Sequence, residues 1–161
     1  MTIYTDRYGK EHIPPEGAAL KTREGAFTVC INKGCVLLQW EDYAPNVADL
    51  PGGGMDAGEN EFQAAAREFF EETGMIYPFN KQDISGTYRQ IVQYYADVDN
   101  EYWAYTQTYF LIEKDEDSIF FEGELMTAEN GKMRWVKLED VSNILIHAMH
   151  KKGYEGLKGK I

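Results

Sequence analysis

Cysteine is nearly absent: Cys30 and Cys35 are the only two in 161 residues. Two thiols make no disulfide scaffold, and their spacing, with no second pair or nearby histidine, is a poor zinc site. Both are expected as reduced thiols on neighbouring strands. Positive charge is also scarce, with 16 Lys and Arg against 27 Asp and Glu and a net charge of −11. Holding duplex nucleic acid by its phosphates needs basic surface, so that class of partner is excluded. Anionic small molecules still fit where metal ions bring the positive charge. No apolar run approaches the length of a membrane span, and residues 1–17 (MTIYTDRYGKEHIPPEG) contain no apolar signal core. No membrane partner is expected, and the default location is cytoplasmic. There are three histidines. His12 reads as solvated, while His147 and His150, one turn apart with no third ligand, read as helix-surface residues. No internal repeat or low-complexity tract is present.

What remains is an ordinary globular composition, 43% hydrophobic and 27% charged, at a length that suits one domain with its own core. Residues 1–24 are polar and broken by Pro14, Pro15 and Gly17, which predicts an arm laid across the domain or paired at a sheet edge. The domain itself is expected over 25–150. Residues 26–31 (AFTVCI) and 36–40 (VLLQW) read as a hairpin around the turn at 32–34, and 47–50 as a short strand delivering Pro51 and three glycines. After a break at 77–80 (YPFN), residues 84–96 and 102–112 read as two long strands around a turn at 97–100. Residues 133–136 read as a short strand and 138–150 as a closing helix with Leu138, Val141, Ile144, Leu145 and Met149 inward. Four lysines give residues 151–161 the look of a mobile basic tail. Aromatic residues are 14% of the chain, and Tyr94, Tyr95, Trp103 and Tyr105 are candidates for stacking against a base or sugar.

The chain is organised around residues 53–75 (GGMDAGENEFQAAAREFFEETGM). Asn60 and Gln63 form a capping-box pattern and Gly74 is the expected stop, giving a helix of about 13 residues, an ordinary length. At 100° per residue Phe62, Ala65, Ala66, Phe69 and Thr73 gather on one side, and Glu68, Glu71 and Glu72 on the next. Three carboxylates at this spacing repel one another. Arg67 relieves part of this through an i, i+4 pairing with Glu71, and a hard divalent cation relieves more. Oxygen-only ligands favour Mg²⁺ or Mn²⁺ over Zn²⁺.

Gly53, then Glu59, then Arg67-Glu68-Phe69-Phe70-Glu71-Glu72-Thr73-Gly74-Met75 resembles the Nudix box, with every fixed position filled. The resemblance is specific over 53–75 and looser over about 25–150. It implies an α/β (α+β) fold, the Nudix α/β/α sandwich with a mixed sheet. It also implies a hydrolase of the MutT-like kind that uses Mg²⁺ or Mn²⁺ and water to cleave a nucleoside diphosphate linked to another group. Mapped onto this sequence, Glu68, Glu71 and Glu72 resemble the metal ligands, with a backbone carbonyl near Gly52 or Gly53 facing the metal. Glu59 and Arg67 resemble the supporting pair.

The candidate catalytic residues are Glu72, Glu129 and Glu71. Glu129 stands six residues before Trp135, the spacing of the loop base in MutT-type members. Glu72 from the helix, or Glu113, Glu116, Glu122 or Glu124 from elsewhere, are the alternatives. The motif of NADH pyrophosphatases is absent after the box, Ile91 stands where ADP-ribose enzymes have a proline, and Tyr94 falls one step from the tyrosine of diadenosine polyphosphate hydrolases. A nucleoside triphosphate or related nucleotide leads, with a dinucleoside polyphosphate, ADP-ribose or nucleotide sugar as alternatives. A non-catalytic nucleotide-binding module is the rival class. Family habit implies a possible homodimer.

Overall fold

The computed structural model describes residues 1–75 and 80–161. Most of the expected break at 77–80 therefore lies outside the described residues. In chain order come β1 (Tyr4–Thr5), β2 (Glu11–His12), β3 (Leu20–Asn32), β4 (Cys35–Trp40), β5 (Gly52–Gly54) and α1 (Glu61–Thr73). They are followed by β6 (Ile84–Ala96), β7 (Glu101–Lys114), β8 (Glu124–Met126), β9 (Lys132–Lys137) and α2 (Ala148–Lys158). Among the described residues the strands form one sheet in the order β2-β1-β6-β7-β3-β4-β9-β8, with β5 also on β3. β3 runs parallel to β7 over its whole length, β1 and β6 are parallel, and the other pairs are antiparallel, so the sheet is mixed.

Alternation along the central strands explains the layers, because successive side chains point to opposite faces. On β3, Phe27, Val29 and Ile31 join Tyr105, Tyr109 and Leu111 of β7 and Leu157 of α2 in one core. Ala26, Cys30, Phe110 and Ile112 face the other way, onto Ala64, Ala65 and Phe69 of α1. One helix thus covers each face, an α/β/α sandwich. α2 sits unusually close to the sheet: a methyl on Gly153 would come within 2.6 Å of the Tyr109 ring.

Several elements match the expected pattern. α1 has Asn60 as N-cap, the reciprocal Asn60–Gln63 capping box and Gly74 at φ 67 as its stop. The turn between β3 and β4 places Lys33 and Gly34 at φ 52 and 71, as a tight hairpin requires. Both cysteines are free and buried, and burial pushes the Cys30 thiol up to about 12.

Other elements differ. β3 begins at Leu20 rather than at residue 26, because its parallel partner β7 extends the ladder. The short strand expected at 47–50 is reduced to isolated pairings, Gln39 with Asp49 and Ala48 with Ile146. β8 carries no alternation that marks it in the sequence. On α1 Ala64 is buried and Ala66 is only partly covered, a slight rotation of the packed face. The largest departure is the closing helix. Leu138–Asn143 is a 3₁₀ turn, the next residues are extended, and α2 starts at Ala148. There the Leu145 carbonyl accepts from Ala48 N–H at 2.8 Å, and His147 N–H donates to the Ala48 carbonyl at 2.7 Å. These strand-like bonds compete with the helix, and Leu145, expected inward, is exposed. The supposed mobile tail becomes most of α2, burying Tyr154 and Leu157.

The histidines also differ from expectation. His147 and His150 are buried rather than on a surface, and His12 is not simply solvated. It bonds Asp6 Oδ2 at 2.8 Å and packs on the Tyr95 ring at 4.2 Å.

Candidate active site

The site begins with the glycines of β5. Gly54, Gly53 and Gly52 pair with Gly25, Ala26 and Phe27, which brings the loop under α1. A methyl on Gly53 would lie 2.8 Å from the Glu68 carboxyl carbon, and one on Gly52, at φ 151, would lie 2.4 Å from the Ala26 carbonyl. Only glycine lets backbone and carboxylate approach this closely. The Gly53 carbonyl oxygen lies close to Gly25 on the neighbouring strand. What Gly53 offers Glu68 in this arrangement is room.

Arg67 holds the acidic residues together. Its Nε and Nη2 donate to Glu59 Oε2 and Oε1 at 2.7 and 2.9 Å, a two-pronged bond that a lysine cannot copy. Nη1 donates to Glu68 at 3.0 Å and to Glu71 at 3.1 Å, the second being the i, i+4 pair expected from spacing, and Nη2 also reaches the Gly54 carbonyl at 3.0 Å. The Arg67 bond and the Asp56 N–H hold the Glu59 carboxyl at about 2.

Glu72 behaves differently. It is buried, and both Gln39 Nε2 (2.7 Å) and Gly52 N–H (3.1 Å) donate to its Oε2. Burial dominates, with Asp49 and Glu68 adding repulsion, and the carboxyl is pushed up to about 9 in spite of those two bonds. Glu72 is therefore neutral at pH 7 in this arrangement. Burial also raises Glu68, opposed by Arg67 and reinforced by Glu71 and Glu129.

The Glu129 loop docks beside them. Ala128 N–H reaches the Glu72 carbonyl at 3.4 Å, and the turn is closed by Thr127 and Gly131. Glu129 is exposed and close enough to act on both Glu68 and Glu41. The oxygens on offer to a cation are thus those of Glu68, Glu71, Glu72 and Glu129. Among the described residues no three His, Cys, Asp or Glu side chains converge on one point as they stand. Glu71 is drawn onto Arg67, and the buried Glu72 onto Gln39 and the Gly52 N–H. An all-oxygen set of this kind suits a hard divalent cation.

Two clefts open here. One, of about 800 Å³, runs from Glu59 and Glu68 past Arg23 to Trp103 and Tyr105. The other, of about 340 Å³, lies behind Gly52 and shares Trp103 and Tyr105, with Tyr94, Asp49, His147 and His150 deeper in. Three of the four candidate stacking residues are thereby brought together. Tyr95 is not: it faces away, packed against His12 and Tyr102 with its hydroxyl donating to Asn100. Trp103 carries the Arg23 guanidinium over its ring at 4.5 Å.

In the second cleft His150 Nε2 sits 2.7 Å from Asp49 Oδ1, and His150 Nδ1 sits 2.7 Å from the Tyr109 hydroxyl. Burial works against the Asp49 charge, but His150, helped by the Leu50 N–H, outweighs it and holds the carboxyl low. Burial drives His147 down to about 3, leaving it neutral. Sequence reasoning passed over this group. Its trace was a charged residue inside the apolar run Val47-Ala48-Asp49-Leu50, since a buried charge demands a partner.

The NUDIX domain family matches residues 21–157. The chain belongs to that family. The match takes in the glycine loop, α1 and the Glu129 loop, and leaves out β1 and β2. Among proteins of known name, the chain is 41% identical over 51 residues to a Bacillus subtilis (strain 168) protein named "Putative 8-oxo-dGTP diphosphatase". That stretch is 32% of this chain and spans only 34% of the relative's length. Among solved structures, a MutT from a study of Aliivibrio salmonicida and Vibrio cholerae superposes with TM-score 0.59 at 18% identity, covering 88% of this chain and all of that one. A bifunctional NMN adenylyltransferase/ADP ribose pyrophosphatase from Francisella tularensis, complexed with AMP and Mn ion, superposes with TM-score 0.63 at 17% identity, covering 86% of this chain and 41% of that one. At such identities these structures establish the Nudix fold alone.

Proposed function

We propose that this Nudix protein is a Mg²⁺- or Mn²⁺-dependent hydrolase that cleaves the diphosphate linkage of a nucleoside diphosphate derivative by attack of water at phosphorus. The observation that carries this reading is the set Glu68, Glu71 and Glu72 on one helix over the β5 glycines, with Glu68 and Glu71 braced by Arg67 and Glu59, and with Glu68 opening onto the larger cleft. A divalent ion held by Glu68, Glu71 and Glu72 would neutralise the diphosphate charge and acidify the attacking water. Glu129, exposed beside Glu68, would accept the proton of that water, with Glu72 or Glu71 as the alternative acceptor. Arg67 would keep the carboxylates in place as ions gather. The diphosphate would lie along the larger cleft, with the base near Trp103, Tyr105 and Tyr94.

A nucleoside triphosphate is the leading substrate class, and the name of the Bacillus subtilis relative adds an oxidised guanine nucleotide to the panel. The test is release of phosphate, diphosphate or nucleotide with Mg²⁺ or Mn²⁺ from nucleoside triphosphates, 8-oxo-dGTP, dinucleoside polyphosphates, ADP-ribose and nucleotide sugars. Metal-dependent turnover of at least one supports the proposal. Binding of one with turnover of none leaves a nucleotide-sensing module and rejects the hydrolase.

A further inference from the structure

The smaller cleft is not built by the family domain alone. Residues 1–19 lie outside the matched region, yet they fold back onto the site. Thr5 of β1 pairs in parallel with Tyr94 of β6. Just beyond it Asp6 Oδ1 accepts from Tyr8 N–H at 2.9 Å and Lys10 N–H at 3.0 Å, which makes a closed turn. That turn carries Arg7 inward. Its carbonyl accepts from Ala148 N–H, at the start of α2, at 2.9 Å. Its side chain is 7% exposed, with Nε donating to Asp97 Oδ1 at 2.9 Å and the guanidinium 5.1 Å above the Tyr43 ring.

Arg7 is the only Lys or Arg among the described residues lining this cleft. The other polar groups there include the Asp49 carboxylate, which can only accept hydrogen bonds, while Trp103 and Tyr105 supply flat walls. A guanidinium can only donate. A flat ring bearing both acceptor and donor atoms on its edge satisfies both ends, and a bare phosphate chain does not.

We propose that the N-terminal arm is part of the substrate site and that Arg7 is its specificity-determining residue. It donates to an acceptor atom of a heterocyclic base and so favours nucleotides over diphosphates that lack a base. The proposal rests on the reading that the ligand is a nucleotide, but it does not require hydrolysis.

The test therefore measures binding as well as turnover, with Mg²⁺ present. The probes are ATP, GTP and CTP in α,β-methylene form, and inorganic triphosphate as the base-free control. The full-length protein is expected to bind at least one nucleotide more tightly than the control. Arg7→Gln is expected to weaken that nucleotide about 10-fold or more, the scale of losing a charged hydrogen bond, while the control stays within twofold. If a substrate has been found, KM rises without a matching fall in kcat. Asp97→Asn lies outside the cleft lining and keeps the side-chain shape while weakening the hold on Arg7, with a lesser electrostatic effect on Tyr94 and His147, so it is expected to act in the same direction and decides the matter should Arg7→Gln fail to fold. Equal weakening of nucleotide and control, no weakening, or no preference for a nucleotide in the unaltered protein each overturns the proposal. Absence of turnover with a base-dependent Arg7 effect rejects the hydrolase and leaves this inference standing.

Discussion

Replacing Glu72 with glutamine is expected to make the metal-free protein more stable while it disables the site. The carboxyl rises on folding from 4.5 to about 9, chiefly through burial. Between those values the folded chain keeps a proton that the unfolded chain has released, so stability falls by about 1.4 kcal/mol for each unit of rising pH. Below pH 4.5 both states are protonated and nothing is lost. At pH 7 the penalty reaches about 3 kcal/mol, and it stops growing above pH 9. Glutamine never ionises, and its carbonyl oxygen still accepts from Gln39 and Gly52. The variant should therefore match the parent near pH 4 and exceed it by about 3 kcal/mol at pH 7, or roughly 6–12 °C in Tm for a domain of this size. Urea unfolding with a chelator at pH 4, 6, 7 and 8 reads this directly. A gap that does not widen with pH, or a variant less stable at pH 8, refutes the assignment of a buried neutral carboxyl. Turnover in the same variant is expected to fall at least ~100-fold.

Metal binding should release about one proton at pH 7 if Glu72 is a ligand, because the ion displaces the proton held there. Mn²⁺ calorimetry in buffers of different protonation enthalpy counts it, and Glu72→Gln should abolish it. Arg67→Lys keeps the charge but loses the fork onto Glu59, so turnover should drop ~10–100-fold; recovery of full activity would show that charge alone suffices. Gly53→Ala places a methyl 2.8 Å from the Glu68 carboxyl and should lower turnover ~10-fold, with unchanged helical circular dichroism as the check on folding. Glu129→Gln should lose as much activity as Glu72→Gln or less, and a pH–rate profile that does not change would move the base elsewhere.

The parts of this molecule that were legible in the sequence are those fixed by neighbours in the chain. Asn60, Gln63 and Gly74 bound α1 because caps act within a turn, and Arg67 meets Glu71 because i, i+4 residues share a face. β6 and the hairpin turn at Lys33-Gly34 follow from alternation and local φ. The parts that were not legible depend on remote partners. His147 and His150 look like surface residues until Asp49, a hundred positions away, is placed beside them. The helix pattern at 138–150 is genuine, but Ala48 captures its middle as extended chain. The arm has no periodicity at all, and only the edge of β6 gives it a strand to join. At the site, the sequence placed the carboxylates correctly on one helix, yet it did not reveal that burial leaves one of them protonated while a neighbour stays strongly ionised.

That division of charge links the two clefts. Asp49 is held ionised by His150 in the smaller cleft, and its charge is one of the forces raising Glu72, beside the Glu68 that lines the larger one. Asp49→Asn removes that repulsion and strands His150 in a buried position. Loss of one partner of a buried pair costs about 3–5 kcal/mol, so the variant should melt lower at neutral pH. Its Glu72 should nonetheless ionise more readily, and Mn²⁺ binding at pH 8 should then release less than the parent's share of a proton. Both effects are read on one sample by thermal melting and calorimetry. A lowered melting point with the parent's proton count would show that Asp49 serves the His150 pair alone and that the two clefts are electrostatically separate.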